Sequence, residues 1–174
     1  VSTALVALGF REGPGAPAPR GFGYLVPRAA HRPVKAMTWL SSKWAHRAPE
    51  GHVLVRAFIG RAGDQEILRQ PDEALVRLVR DELASVVGIT AEPVLQRVYR
   101  WTCAMPQYTM GHLARVERIE TAMARAPGIE VAGNMLRGVG IPDCIGAAEQ
   151  ASARILEYCS TVQAVDHAPR NVQG

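Results

Sequence analysis

GYLVPRAAHRPVKAMTWLSSKWAHRAPEGHVLVRAFIG, running from Gly23 to Gly60, is the stretch whose reading decides the fold. Three short runs stand out in it: Gly23 to Arg28, Val34 to Ser42 and His52 to Gly60. They are rich in strand-forming residues and are parted by turn residues. The links between them are too short for a helical crossover, so they are expected to pair antiparallel as a meander. Upstream, Arg11 to Arg20 is rich in Gly and Pro and reads as a loop. Before it, Val1 to Phe10 is the longest apolar run, interrupted by Ser2 and Thr3. It lacks a basic flank and a cleavage site, and it is far shorter than the roughly 20 residues a membrane span needs. A core strand explains it better.

Downstream, Asp72 to Val87 carries the helical period. Leu75, Leu78, Val79, Leu83, Val86 and Val87 share one stripe, with Arg77, Arg80, Asp81 and Glu82 elsewhere. Pro71 and Asp72 make a start and Gly88 a stop. Val94 to Cys103 returns to strand. A second helix is expected from Tyr108 or Gly111 to Arg125, with Leu113, Val116, Ile119 and Met123 on its inner face and Pro127 and Gly128 ending it. A strand from Ile129 to Gly133, a Gly-rich turn and a helix from about Pro142 to Cys159 complete the pattern. The polar tail, 160–174, reads as flexible. The fold class expected is α+β: a mainly antiparallel sheet with covering helices, then a strand and helix of a nucleotide-binding layer.

At 174 residues the chain is long enough for a packed core, and its 48% apolar and 21% charged content is that of an ordinary globular protein. The net charge of +4 comes from scattered basic residues, which mildly favours an anionic ligand and argues against nucleic acid as a partner. Cys103, Cys144 and Cys159 have no metal-ligand spacing, so no metal is assigned. Few and odd in number, they read as reduced, cytoplasmic thiols acting as small apolar fillers.

The turn GNMLRGVGIPDCI, Gly133 to Ile145, is the most informative segment for function. Gly138 and Gly140 let the backbone approach a neighbour, since neither carries a Cβ. Pro142 suits the first turn of a helix. The N–H groups of that turn have no partner within the helix and can hold an anion or a polarised carbonyl. Ala147, Ala148, Ala151 and Ala153 allow the helix to pack closely on a sheet. The dinucleotide fingerprint is incomplete: the third glycine and the following acidic residue are missing. From these residues alone, a structural tight turn and a ligand site are equally good readings.

Three segments taken together carry a resemblance. GFGYLVPR (Gly21 to Arg28), MPQYTMGH (Met105 to His112) and AGNMLRGVGIPDCI (Ala132 to Ile145) occur in this order, with VLVRAFIG (Val53 to Gly60) as a weaker match. The chain resembles, over about residues 1–158, the C-terminal third of the oxygen-dependent, FAD-containing protoporphyrinogen and coproporphyrinogen oxidases of the flavin amine oxidase superfamily. The resemblance implies a substrate-domain part over 1–104, a connecting helix region over 105–128 and the last strand and helix of an FAD domain over 129–159. It implies non-covalent FAD, approached by the backbone of Val139, Gly140, Ile141, Pro142, Asp143 and Cys144, with Trp101 on a second cofactor wall. Trp101 is read equally well as a core aromatic. Phe22, Leu25 and Phe58 resemble residues lining the family's apolar substrate pocket; the other reading makes them inward-facing strand residues. No catalytic residue is assigned, and His112 is read as structural.

The implied chemistry is hydride loss from a porphyrinogen carbon to flavin, and then electron transfer to oxygen, a late step of haem biosynthesis. The family's phosphate-binding GxGxxG has no match in this sequence, which is therefore expected to be a fragment whose partner is the missing N-terminal part of the enzyme. Porphyrinogen and oxygen are the other partners implied. A cytoplasmic setting, peripheral attachment to the membrane and a homo-oligomer are compatible with the family. Two rivals stay open: a relative acting on amines or carotenoids, and a non-catalytic chain that keeps only a porphyrin-binding or structural role.

Overall fold

β1 (Thr3–Arg11) is the apolar N-terminal run, and as a central strand it is covered on both edges. β2 (Gly23–Leu25), β3 (Val34–Trp39) and β4 (His52–Ile59) follow, with a single short helical turn, α1 (Leu40–Lys43), between the last two. After α2 (Asp72–Val87) comes β5 (Leu95–Trp101). The sheet order is β2-β3-β4-β1-β5, and every pairing is antiparallel. The computed structural model describes residues 1–166; its chain forms two compact units, Val1–Met105 and Pro106 onward.

In the first unit α2 covers one face of the sheet. Val53, Val55, Ala57 and Ile59 alternate inward along β4 and meet Leu8, Phe10, Met37 and Trp39 from its neighbours. Leu75, Val76, Val79 and Leu83 of α2 close this core. Burying each such side chain contributes about 1.5–3 kcal/mol, so this layer dominates the unit's stability. The helix ends where expected, because Gly88 takes the left-handed φ of 72° and its N–H bonds Leu83 O.

Glu82, placed by its charge on the outer face, is 4% exposed. Arg32 Nε donates to both of its oxygens, at 2.8 and 3.0 Å, and Tyr24 Oη donates at 3.3 Å. Burial, then the neighbouring Glu82 charge, push the Tyr24 hydroxyl well above its ordinary range. Tyr24 also packs edge-on against Trp39 at 5.7 Å. The buried carboxylate thus ties α2 to β2 and to the β2–β3 connection. Val86, conversely, is exposed.

The second unit holds α3 (His112–Met123) and α4 (Ile141–Asp166). Of the inner face expected for α3 only Val116 is buried; Leu113 and Ile119 are exposed. Of the four alanines expected to pack, Ala151 alone is buried. Residues 129–133 form no strand, because a strand exists only through pairing and none of the described residues offers them an edge. α4 continues past Cys159 to Asp166, so the first part of the presumed tail is helical; 167–174 lie outside the described residues.

Candidate functional site

The side of the sheet away from α2 carries no covering element within the first unit. Strand alternation fixes which residues share it. Leu25 pairs with Ala36, Ala36 with Phe58, Phe58 with Leu5, and Leu5 with Tyr99, one apolar row across all five strands. The next row on this face reads Thr38, Arg56, Ala7 and Arg97. Trp101 lies on the same face two residues beyond Tyr99, and the two rings stack with centroids 6.2 Å apart. Leu25 is 83% exposed, and Tyr99, Trp101 and Leu95 are also open, while Ala36 and Phe58 are half-buried and Leu5 is buried. Exposed apolar side chains gathered on one face make it a candidate binding surface.

Of the expected substrate residues, Leu25 and Phe58 therefore stand in one row on either side of Ala36. Phe22 does not join them by register. It lies just before β2, where Gly23 takes a φ of 140° that breaks the alternation, and it is 64% exposed. Trp101 is no core aromatic: it stands open on the uncovered face. The sequence reading missed Tyr99, Arg56 and Arg97 as members of this surface. The alternation of VLVRAFIG and LQRVYRW contained the signal, but which face lacked a cover could not be read from either strand alone.

The other expected site residues belong to the second unit. Here the turn before α4 has a specific local cause. The Asp143 carboxylate folds back and accepts the Gly140 N–H at 3.1 Å, while the Cys144 N–H bonds Gly140 O at 3.0 Å. This is the returning half of a capping box, with glycine at the cap position. A Cβ on Gly138 would lie 2.4 Å from Asp143 Cβ, and one on Gly140 would lie 2.8 Å from Asp143 Oδ2. The glycines leave room for the Asp143 side chain. The expectation of an unpaired helix start is met in part: the acidic residue at the third helical position takes the Gly140 N–H and adds negative charge where the dipole favours it.

Two N–H groups of the first turn, on Ile141 and Asp143, remain without an intrahelical partner; Pro142 has none to offer. Val139 and Ile141 present exposed apolar side chains beside them. This combination fits the edge of a flavin ring, with apolar contact and a pair of backbone donors. It does not fit a pyrophosphate: the turn's one cation, Arg137, is paired with Glu120, and Asp143 fills the space beside Gly138 and Gly140. Cys144 is half-buried, whereas Cys103 and Cys159 are exposed and so do not act as core fillers.

Gly138, Pro142 and Asp143 also border a groove of about 1080 Å³ between α3, the connecting loop and α4, floored by Met123, Val131 and Tyr158. Two ion pairs stand at it. Arg137 donates to Glu120 at 2.9 and 2.6 Å, and Arg154 donates to Glu130 at 2.8 Å. Each of these hydrogen bonds holds its glutamate below the usual carboxylate range. His112 stacks on Tyr108 at 3.9 Å, and its Nε2–H donates to Leu136 O at 2.6 Å. A carbonyl can only accept, so the ring nitrogen is fixed as donor.

Residues 1–156 match the family of flavin containing amine oxidoreductases. The chain is 40% identical over 158 residues to a coproporphyrinogen III oxidase of Bacillus subtilis, covering 90% of this chain and 34% of that protein. It is 29% identical over 143 residues to a chloroplastic protoporphyrinogen oxidase of Oryza sativa, covering 80% of this chain and 27% of that protein. Among solved structures, one from Exiguobacterium sp. named for a protoporphyrinogen oxidase superposes with a TM-score of 0.77 at 36% identity. It covers 90% of this chain and 35% of that chain. The chain thus spans about a third of the length of the relatives it matches.

Proposed function

The chain belongs to the flavin containing amine oxidoreductase family, and from that premise we propose that it serves an FAD-dependent oxidation of a porphyrinogen to the porphyrin, with oxygen as acceptor. The observation that carries the proposal is the apolar row Leu25–Ala36–Phe58–Leu5–Tyr99 on the sheet face away from α2, open at its Leu25 and Tyr99 ends. A porphyrinogen is a broad, mostly apolar macrocycle with carboxylate arms, and a wide apolar wall with few polar groups suits it. Bound FAD would supply the hydride acceptor, and the protein's task is position and electrostatics. In this reading Leu25, Phe58 and Tyr99 hold the macrocycle and keep water from it. The turn Val139 to Cys144 contributes backbone donors and apolar contact at the flavin edge, with Trp101 as a second wall.

The names of the relatives favour coproporphyrinogen III or protoporphyrinogen IX as substrate. A cytoplasmic setting with reduced cysteines belongs to the same proposal. The test is to follow porphyrin formation and oxygen consumption by the flavin-loaded enzyme with both porphyrinogens and with simple amines. Oxygen-dependent conversion of a porphyrinogen is expected. Turnover of amines without porphyrinogen oxidation would replace this reading with the amine-oxidase one. Porphyrin binding without flavin or turnover would make the chain a binding surface only.

A further inference from the structure

Within the first unit, the sheet face away from α2 carries positive charge with no acidic residue in its strand rows. Arg56 and Arg97 are the register partners of Ala7 on either side, so their backbones stand two strand spacings apart, about 10 Å. No Asp or Glu occupies any register position on this face. Neither arginine makes an ion pair among the described residues: the ion pairs use Arg32, Arg69, Arg80, Arg100, Arg137 and Arg154. Among the described residues Arg97 donates only to the Gln96 carbonyl, at 2.8 Å. The Arg56 guanidinium lies 5.0 Å from the centroid of the Phe58 ring, and its enclosed Nε–H has no acceptor among the described residues.

That last feature is unusual. An enclosed N–H on a charged group is almost always paired, because it has lost its water and gained nothing in return. Its place over Phe58 sets the guanidinium at the border of the apolar row, where a ligand resting on that row would bring its edge. Resting on the proposed function, we infer that Arg56, with Arg97 across Ala7, anchors the carboxylate arms of the macrocycle. A planar apolar ligand with carboxylates at its rim complements the surface in both respects: the apolar row takes the ring, and the arginine row takes the anions. The planar fork of Arg56 suits a carboxylate better than a lysine ammonium would.

The test compares binding of coproporphyrin III with that of its tetramethyl ester to the flavin-loaded enzyme, read by absorbance and fluorescence quenching. The parent is expected to bind the free acid better than the ester, with a preference that shrinks as salt is raised. Arg56→Gln should weaken free-acid binding about 10- to 100-fold and leave ester binding near the parent value. Arg56→Lys should recover only part of the loss. Arg97→Gln should act in the same direction, by less. Equal losses for acid and ester would make Arg56 a packing residue over Phe58 and overturn the inference, as would no change in either. Loss of flavin with porphyrin binding intact would assign the anion to the cofactor's phosphates and likewise overturn it. If the parent binds neither porphyrin, the proposed function itself fails. A parent that binds acid and ester alike leaves that function standing and removes only the carboxylate anchor.

Discussion

Removing Arg32 while keeping Glu82 should strain the first unit more than removing both. Glu82 is 4% exposed and takes its two strongest hydrogen bonds from the Arg32 Nε; the bond from Tyr24 Oη is longer, at 3.3 Å. Arg32→Ala leaves that carboxylate buried with Tyr24 as its one remaining donor, and it also deletes the bond to Ser85. Stranding one partner of a buried pair costs roughly 3–5 kcal/mol. Arg32 is itself 40% exposed, so water can enter the space it leaves. Discounting for that solvation brings the expected cost to about 2 kcal/mol. The double variant Arg32→Ala with Glu82→Leu removes the charge and fills the site with apolar volume beside Leu78. It should recover at least half of the loss, since replacing a buried pair by apolar groups is often close to neutral. Urea unfolding followed by far-ultraviolet circular dichroism measures all three proteins. An Arg32→Ala cost under about 0.5 kcal/mol would refute the reasoning. So would a double variant no more stable than Arg32→Ala alone, because the penalty would then not come from the stranded charge.

Three further outcomes follow from the same geometry. Stability of the first unit should fall as pH rises above about 10: the unfolded tyrosine ionises there, while Tyr24 holds its proton to higher pH in the fold, its pKa raised by burial and Glu82. The stabilisation is full below that pH and lost as the pH climbs toward the raised value; an unchanged alkaline profile in Tyr24→Phe would disprove the link. Phe58→Ala should raise the Michaelis constant for porphyrinogen about 10- to 100-fold through loss of roughly 1–3 kcal/mol of apolar contact. Flavin content should hold, and an unchanged Michaelis constant would remove Phe58 from the wall. Gly138→Ala should break the Asp143 cap, since its Cβ would fall 2.4 Å from Asp143 Cβ. The expected loss is about 0.5–2 kcal/mol of helix stability, with lower flavin retention. It should be largely absent in an Asp143→Ala background, and equal losses in both backgrounds would mean that Asp143 is not the cause.

The sequence alone determined the elements whose pattern is local. Asp72 to Val87 emerged with its bounds intact because its apolar spacing, its Pro71 start and its Gly88 stop all act within one helix. The β-rich runs appeared as strands because alternation and turn residues are also local signals, and the three matching segments indicated the family. What only the tertiary structure decided is non-local. Glu82 is as polar as Asp81 in sequence, yet one is enclosed and the other exposed, because Arg32 and Tyr24 arrive from chain segments about fifty residues away. The run 129–133 looks like a strand by composition and makes none, since pairing needs a neighbour that the run cannot supply. The glycines of the turn signalled close approach correctly, but the approaching group is Asp143, three to five residues on. Arg56 and Arg97 stand 41 positions apart and become one charged row only because β4 and β5 both pair with β1. Register and the choice of which sheet face stays uncovered are properties of the assembled sheet, and no single strand encodes them.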